Sequence, residues 1–318
     1  ARSITEPGQR GASMTDNTAM DELRHRLALW RLPGIGAVSF AGLLARYGCA
    51  RTALAQPIRD WDRRTGGRLP ERPRLDWAGV DRDMAWLQAS PQHAILTLED
   101  ARYPELLRSL AAAPPLLFVR GDAELLHWPQ LALVGSRRPS AGGRDSAARF
   151  SARLAAAGLV ITSGLAKGID AVAHSAAIDS HGATLAVTGT GPDRHYPPET
   201  RALAERIIDR GGAIVTEFPS GTGPRRQHFP RRNRLISGLS LGTLVVEAAP
   251  GSGSLITARY AVEQGREVFA IPERFRRIEA LESVPMATRD ALMLAIMRLG
   301  RRACRWFLRH RRERLDPS

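Results

Sequence analysis

Glycine-rich segments that also carry arginine, lysine or serine are the chemically distinctive part of this sequence. The first of them, residues 135–140, is Gly-Ser-Arg-Arg-Pro-Ser. Glycine lets a ligand approach the backbone closely, a helix start favours an anion, and the two arginines add charge and N–H donors. The segment therefore predicts a phosphate site made by Gly135, Ser136, Arg137 and Arg138.

Three further segments have the same character: residues 163–170 (Ser-Gly-Leu-Ala-Lys-Gly-Ile-Asp), 188–191 (Thr-Gly-Thr-Gly) and 250–254 (Pro-Gly-Ser-Gly-Ser). Asp170 is expected to be the N-cap of the helix that follows it. One glycine turn alone is weak support, but several at one edge of a sheet indicate a shared site. The candidate residues in these segments are Gly164, Lys167, Gly168, Ser252, Gly253 and Ser254.

The densest basic run outside the C-terminal tail is residues 225–234, in which five arginines surround one phenylalanine. Arginines can pair with phosphates while Phe229 stacks on a base, which is typical of sequence-tolerant binding to single strands. Core packing of Phe229 is an alternative, as is pairing of Arg232 and Arg234 with acids such as Glu217 or Glu247. The candidates here are Arg225, Arg226, Phe229, Arg231, Arg232, Asn233 and Arg234.

Familiar catalytic and cofactor motifs are missing from the sequence. It has no GxGxxG after the first strand, no GxxxxGK[ST], no HExxH and no clustered cysteines. Asp170, His174, His195, Glu217 and His228 are available as acid–base groups, but their pattern proposes no reaction. We therefore expect no catalytic residues, no metal and no cofactor.

Short apolar strands alternate with amphipathic helices in the region that carries these segments. This alternation predicts an α/β fold with a Rossmann-like parallel sheet that is covered on both faces and binds ligands at the carboxyl ends of its strands. The predicted strands are Leu131–Val134, Leu159–Thr162, Thr184–Val187, Ala213–Glu217, Thr243–Glu247 and Glu267–Ile271. The predicted helices are Gly142–Ala157, Asp170–Ser180, Glu199–Arg210, Asn233–Gly238 and Leu255–Gln264.

The N-terminal part has a different pattern. Two helices flank Pro33-Gly34-Ile35-Gly36 within Met20–Gly48, which fits either a helix-hairpin-helix that holds a DNA phosphate or, preferably, a plain αα-corner. A helix over Val80–Ala89 and strands over His93–Leu98 and Leu116–Val119 follow. The predicted organisation is a disordered or artefactual start (1–18), a small helical domain (19–90), the sheet core (91–272) and an atypical arginine-rich tail (273–318).

Composition narrows the class of partner. The formal net charge is +14 and the pI is about 11.2, which favours a polyanion, although a solvated basic surface is the alternative. No apolar run reaches the roughly 20 residues of a membrane span, and no signal-peptide pattern opens the chain. Two distant cysteines form neither a disulfide framework nor a zinc site. These features predict a cytoplasmic protein with no membrane partner.

In order along the chain, the motifs resemble the DprA/Smf family of DNA-processing proteins of bacterial transformation. The similar text includes LALVGSRRPS, VITSGLAKGIDAVAH, VTGTGPDRHYP, EFPSGTGPRRQHFPRRNRLISGLS and LVVEAAPGSGSLITARYAVEQGREVFAIP, and the resemblance covers about Leu96–Pro272. It implies an extended Rossmann-like core, preceded by a SAM- or helix-hairpin-helix-like domain, that binds single-stranded DNA.

The resemblance also implies roles and partners. These are protection of incoming DNA, loading of the RecA recombinase and homodimerisation through the core, with no established catalytic activity. By motif, Arg137, Arg226 and Phe229 would contact phosphate and base, although the family often has lysine where Arg226 stands. Lys167 stands where many relatives also have a basic residue.

The sequence departs from the family pattern after VFAIP. Residues 273–318 contain twelve arginines and six acidic residues, with helical patches expected over Ala291–Leu299 and Ala303–Arg309. We interpret the change as a shift of reading frame or a truncated gene, which leaves no winged-helix domain. Sequencing the source locus would test this, because an intact frame through this point contradicts it.

Two other functions fit parts of the sequence. A nucleotide-processing hydrolase of the phosphoribohydrolase type has a Rossmann-like sheet with a PGGxGT-type loop, which residues 250–254 loosely resemble. A duplex-DNA protein would use the single PGIG hairpin. The HFPRRNR run suits a polymer backbone better than a mononucleotide, so a non-enzymatic single-strand binder remains the leading prediction.

Overall fold

A computed structural model describes residues 14–57, 61, 74–249 and 251–271. The chain forms two compact units that divide at Met84. In the described residues the helices are α1 (Met14–Arg31), α2 (Ala37–Tyr47), α3 (Ala50–Ala55), α4 (Trp77–Gln88), α5 (Glu105–Arg108), α6 (Ala141–Ala156), α7 (Ile169–Asp179), α8 (Arg201–Asp209), α9 (His228–Leu239) and α10 (Gly253–Glu263). The strands are β1 (His93–Thr97), β2 (Leu116–Gly121), β3 (Gln130–Gly135), β4 (Val160–Ser163), β5 (Thr184–Val187), β6 (Ala213–Thr216), β7 (Gly242–Glu247) and β8 (Glu267–Ala270).

The N-terminal unit is built around the predicted helix pair, with α3 as an additional short helix. Leu27, Leu29 and Leu32 are buried, and the rings of Trp30 and Phe40 meet edge to face at 6.1 Å. Residues 33–36 separate α1 from α2, because a proline and two glycines interrupt the helical pattern.

All eight strands form one sheet in the order β1-β2-β6-β5-β4-β3-β7-β8. Strands β6, β5, β4, β3, β7 and β8 are parallel, whereas β2 is antiparallel to both β1 and β6. The predicted α/β fold with its extended Rossmann-like sheet is confirmed, and the β1–β2 hairpin is the extension.

The two faces of the sheet are covered by different helices. Val134, Leu185 and Val215 point into a cluster that is closed by α9, while Leu133 and Ile161 pack against α6 and α7 on the other face. Because both faces are buried, β4 and β5 are buried along their whole length.

The connections create a crevice at the carboxyl edge. Three successive crossovers place β4, β5 and β6 on one side of β3, and the crossover through α9 then places β7 on the other side. The strand order therefore reverses between β3 and β7, where open α/β sheets bind their ligands.

Two predictions about helix starts were wrong. Helix α9 begins at His228 rather than Asn233, with Pro230 in its first turn, where a missing N–H costs no helical hydrogen bond. Gly168 precedes α7, and Asp170 lies inside the first turn. Its carboxylate instead accepts the N–H groups of Gly164 and Ala166 at 3.2 and 3.3 Å.

Residues 14–18, which the sequence assigned to a disordered or artefactual start, lie in α1. Several predictions lie outside the described residues, namely those for residues 1–13, for residues 58–60 and 62–73 of the small helical domain, and for the tail beyond Ile271. No helix in the described part is long and apolar enough to cross a membrane.

Candidate nucleic-acid interface

Three of the glycine-containing loops meet at the carboxyl edge of the sheet. The Ser136 N–H donates to the Glu247 carbonyl at 2.7 Å, and the Ile169 N–H donates to the Ser136 carbonyl at 3.0 Å. Gly168 has a φ of 82°, and a Cβ at this position would lie 2.7 Å from the Arg137 carbonyl carbon. A glycine is therefore required where the β4–α7 loop crosses the β3–α6 loop.

The start of α6 already holds an anion from the chain itself. The Ser140 hydroxyl donates to Glu247 Oε2 at 2.7 Å, and the Ser140 N–H lies 3.2 Å from both carboxylate oxygens. This carboxylate occupies the position where the sequence predicts a ligand phosphate. The start of α10 has no side-chain cap, and there Ser252 and Ser254 share a hydroxyl hydrogen bond of 2.8 Å.

Phe229 is the centre of an aromatic and cationic cluster at the same edge. Its ring centroid is 5.6 Å from that of Tyr196, and the Arg137 guanidinium carbon lies 5.8 Å from the Phe229 centroid. A Cβ on Gly189 would approach the Phe229 ring to 3.2 Å. Phe229 is half-buried, whereas Arg137 and Tyr196 are exposed. We call Arg137, Tyr196 and Phe229 the platform.

Sequence reasoning did not select Tyr196. Its signal was present, because an aromatic residue follows the third glycine segment within the motif VTGTGPDRHYP. Only the fold shows that this segment approaches the first turn of α9.

Helix α9 disperses its arginines, because successive side chains of a helix point about 100° apart. Arg231 and Arg234 share one face and donate to Glu217 Oε2 at 3.1 and 2.6 Å. The Glu217 side chain is completely buried. The alternative that Arg234 pairs with Glu217 is confirmed, and Arg231 pairs with the same carboxylate.

Arg232 points into the protein. Its Nη1 donates to the carbonyl oxygens of Gly164, at 2.6 Å, and of Val187. A Cβ on Gly164 would lie 2.5 Å from Arg232 Nη1 and 2.7 Å from Asp170 Oδ2. Burial lowers the pKa of Arg232 to about 10, opposed by Asp170, and burial raises the pKa of Asp170. This burial does not support direct contact between Arg232 and a ligand strand.

Two other candidates are engaged with protein atoms. Asn233 is buried and its Nδ2 donates to the Gly253 carbonyl at 3.1 Å. Lys167 is exposed and forms an ion pair with Glu199. The hydrogen bond from Asn233 to the start of α10 gives Asn233 a positioning role. Lys167 would have to leave Glu199 before it could bind a phosphate.

Four arginines remain on the surface of this edge: Arg137, Arg138, Arg225 and Arg226. Within the described ranges, no carboxylate forms a salt bridge with any of them. Exposed and unneutralised guanidinium groups beside an aromatic ring can bind a phosphate and a base together.

Two histidines of this region have lowered pKa values because they are buried. His228 stacks on Phe218 with centroids 4.4 Å apart, and burial lowers its pKa. Burial also lowers the pKa of His174, to about 3. No group of three or more metal-ligating side chains occurs in the part of the chain that the structure describes.

The fold and the platform define a Rossmann-like α/β protein with a cationic and aromatic carboxyl edge. Residues 94–293 match the family of DNA recombination-mediator protein A, and residues 20–71 match the DprA-like N-terminal HHH domain. The chain belongs to this DprA/Smf family. The second match favours a helix-hairpin-helix domain over a plain αα-corner.

Curated relatives agree with this assignment. The chain is 48% identical over 193 residues to Protein Smf of Escherichia coli, covering 61% of this chain and 51% of that protein. It is 45% identical over 185 residues to DNA processing protein DprA of Streptococcus pneumoniae, covering 58% and 64%. The chain thus spans about half to two thirds of the length of these relatives.

Two solved structures share the fold. DprA from Streptococcus pneumoniae has a TM-score of 0.65 and 34% identity, covering 79% of this chain and 86% of that one. A structure of DprA from Helicobacter pylori, described for its single-stranded DNA binding mode, has a TM-score of 0.53 and 25% identity, covering 65% and 94%.

Proposed function

We propose that this protein binds single-stranded DNA along the carboxyl edge of its sheet, with the platform as the central contact. The observation that carries the proposal is the exposed Arg137 guanidinium over the half-buried Phe229 ring. One side chain would neutralise a phosphate while the other stacks on the adjacent base, an arrangement that needs no particular base.

The surrounding groups extend this contact along the strand. Arg138, Arg225 and Arg226 add exposed charge, and the uncapped start of α10 offers N–H groups beside Ser252. Gly135, Gly164 and Gly168 keep the backbone loops close together, while Arg231, Arg232 and Arg234 stabilise the edge from within. Of the basic run at residues 225–234, only Arg225, Arg226 and Phe229 are therefore proposed to contact the strand.

In the cell we propose a role in natural transformation, with protection of incoming DNA and loading of RecA. Family membership and the Helicobacter pylori relative support this role. The proposal assigns no reaction to the chain itself, because the buried His174 and the arginine-paired Glu217 are committed to the fold.

A homodimer is part of the proposal. Leu255 and Val262, seven residues apart on α10, and Val268 on the edge strand β8 are exposed apolar side chains. A second copy that packed on α10 and β8, the last strand of the described sheet, would remove them from water.

Equilibrium binding of an oligo-dT and of a matching duplex to the full chain tests the single-strand proposal. We expect tighter binding of the single strand, because only unpaired bases can stack on Phe229. Equal affinity for the two would contradict the proposal.

A further inference from the structure

A separate cavity lies beside the platform, on the other side of the segment that follows β5. Its volume is about 370 Å³, and its walls come from β2, β6, the 188–198 segment and α8. This volume falls in the range of small-molecule sites. His195 lines the cavity, while its neighbour Tyr196 contacts Phe229.

Three arginines line this cavity: Arg120, Arg194 and Arg201. Arg120 is neutralised by Glu205, to which its Nη1 and Nη2 both donate. Arg194 has only a 3.6 Å contact with Asp193, whose Oδ1 also accepts the Gly221 N–H at 2.8 Å. Arg201 is exposed, and no salt bridge involves it within the described residues. Arg201 is therefore available for an anion, and Arg194 would have to give up only its 3.6 Å contact with Asp193.

Two carboxylates, those of Asp193 and Glu205, line the cavity beside these arginines, and the rest of its wall is apolar or neutral. Ile214, Pro192 and Pro198 contribute apolar surface, and the buried residues Thr188 and Thr216 also line the cavity. Thr216 Oγ1 donates to the Thr190 carbonyl at 2.8 Å, so it is already satisfied by the protein. A ligand that fits has one anionic end, for Arg194 and Arg201, and one apolar part, for Ile214 and the two prolines.

We propose that this cavity binds a nucleoside 5′-phosphate, with Arg194 and Arg201 on the phosphomonoester and the base against Ile214 and the prolines. A phosphomonoester carries up to two negative charges, so it suits the unpaired Arg201 and the weakly paired Arg194 together better than the single charge of a phosphodiester does. The same chemistry has two sources: a free mononucleotide, or the 5′-phosphorylated end of a DNA strand.

Isothermal titration of the full chain with AMP, adenosine and inorganic phosphate tests the site. We expect AMP to bind at least tenfold more tightly than either of its parts. Arg201→Ala and Arg194→Ala should each weaken AMP binding at least fivefold. Arg210→Ala is the matched control, because Arg210 is exposed just beyond the opposite end of α8.

The two sources are separated with a dT oligonucleotide that carries either a 5′-phosphate or a 5′-hydroxyl. A preference for the phosphorylated strand that Arg201→Ala removes supports strand-end binding, whereas AMP binding without such a preference supports the free nucleotide. Binding of neither probe, or binding that both arginine variants leave unchanged, would overturn the proposal.

This site is independent of the platform. Phe229→Ala should leave AMP binding unchanged, and Arg201→Ala should leave binding of the 5′-hydroxyl strand unchanged. Failure of the nucleotide site and failure of the single-strand proposal therefore give different results.

Discussion

Core packing of the Phe229 ring and its proposed stacking on a base could not be separated from the sequence alone. It contacts Gly189, Tyr196 and Arg137, yet it remains half-buried. The ring therefore packs on one side and is open on the other. Tyr196 was missed because its part in the cluster depends on a loop that approaches α9 from another strand.

Replacing Phe229 by alanine separates stacking from packing. We expect a loss of about 1–3 kcal/mol in binding to oligo-dT, because one base loses its aromatic partner. Fluorescence anisotropy measures this loss, and Phe229→Leu is the matched control that keeps apolar volume. Unfolding of both variants at room temperature would show that the ring serves the core instead.

Arg226 and Arg232 should respond in opposite ways to alanine substitution. Arg232→Ala removes two hydrogen bonds to buried carbonyls and leaves Asp170 without its nearby cation, so we expect a loss of roughly 3–5 kcal/mol in unfolding free energy. Arg226 is exposed, so Arg226→Ala should change the unfolding free energy by no more than about 0.5 kcal/mol.

Urea denaturation measures both stabilities, and strand binding is measured on the folded proteins. Only Arg226→Ala is expected to weaken binding while stability is kept. A stable Arg232→Ala protein with weakened strand binding would contradict the assignment of Arg232 to the interior.

At the scale of elements, the sequence predicted the alternation of strands and helices and the edge at which the loops gather. Continuous apolar strands such as β5 are easily recognised, because their burial on both faces fixes their composition. The start of α9 was not recognised from the sequence, because Phe229-Pro230 interrupts the apolar pattern that marks a helix. That error placed Arg231 and Arg232 in a loop with Arg225 and Arg226, whereas α9 contains them together with Arg234 and points Arg232 away from the face that Arg231 and Arg234 share.

Stability should depend on pH through His174, a buried residue of α7 that contacts Thr184 on β5. His174 Nδ1 lies 2.7 Å from Thr184 Oγ1, which itself donates to the Ile161 carbonyl, so the neutral imidazole donates to the hydroxyl. Burial holds the pKa of His174 at about 3, below its ordinary 6.5. The neutral form therefore stabilises the fold above pH 6.5, and this contribution is lost as the pH falls from 6.5 towards 3.

Denaturation curves between pH 7.5 and 5 test this dependence. Below pH 6.5 the unfolding free energy should fall by up to about 1.4 kcal/mol per pH unit from this histidine. His174→Asn should reduce that slope, whereas His181→Asn, at an exposed position, should not. Equal slopes in all three proteins would contradict a neutral His174.

At the scale of the whole molecule, the apolar side chains of α10 and β8 predict self-association. Val262 is 66% exposed, so Val262→Asp should fold normally and shift a dimer to a monomer in light scattering. Val38, 64% exposed in the N-terminal unit, is the matched position, and Val38→Asp should leave the dimer intact. A monomeric wild-type chain at micromolar concentration would remove the dimer from the proposal.

The central claim, that a DNA strand crosses the platform, is tested most directly by the salt dependence of oligo-dT binding. For wild type, Arg137→Ala, Phe229→Ala and the Arg210→Ala control, the logarithm of the association constant is measured against the logarithm of salt concentration. Loss of one phosphate contact should reduce the slope by about 0.7 in Arg137→Ala. Phe229→Ala should lose affinity with an unchanged slope, and the control should match wild type. Wild-type slope and affinity in both platform variants would contradict the claim.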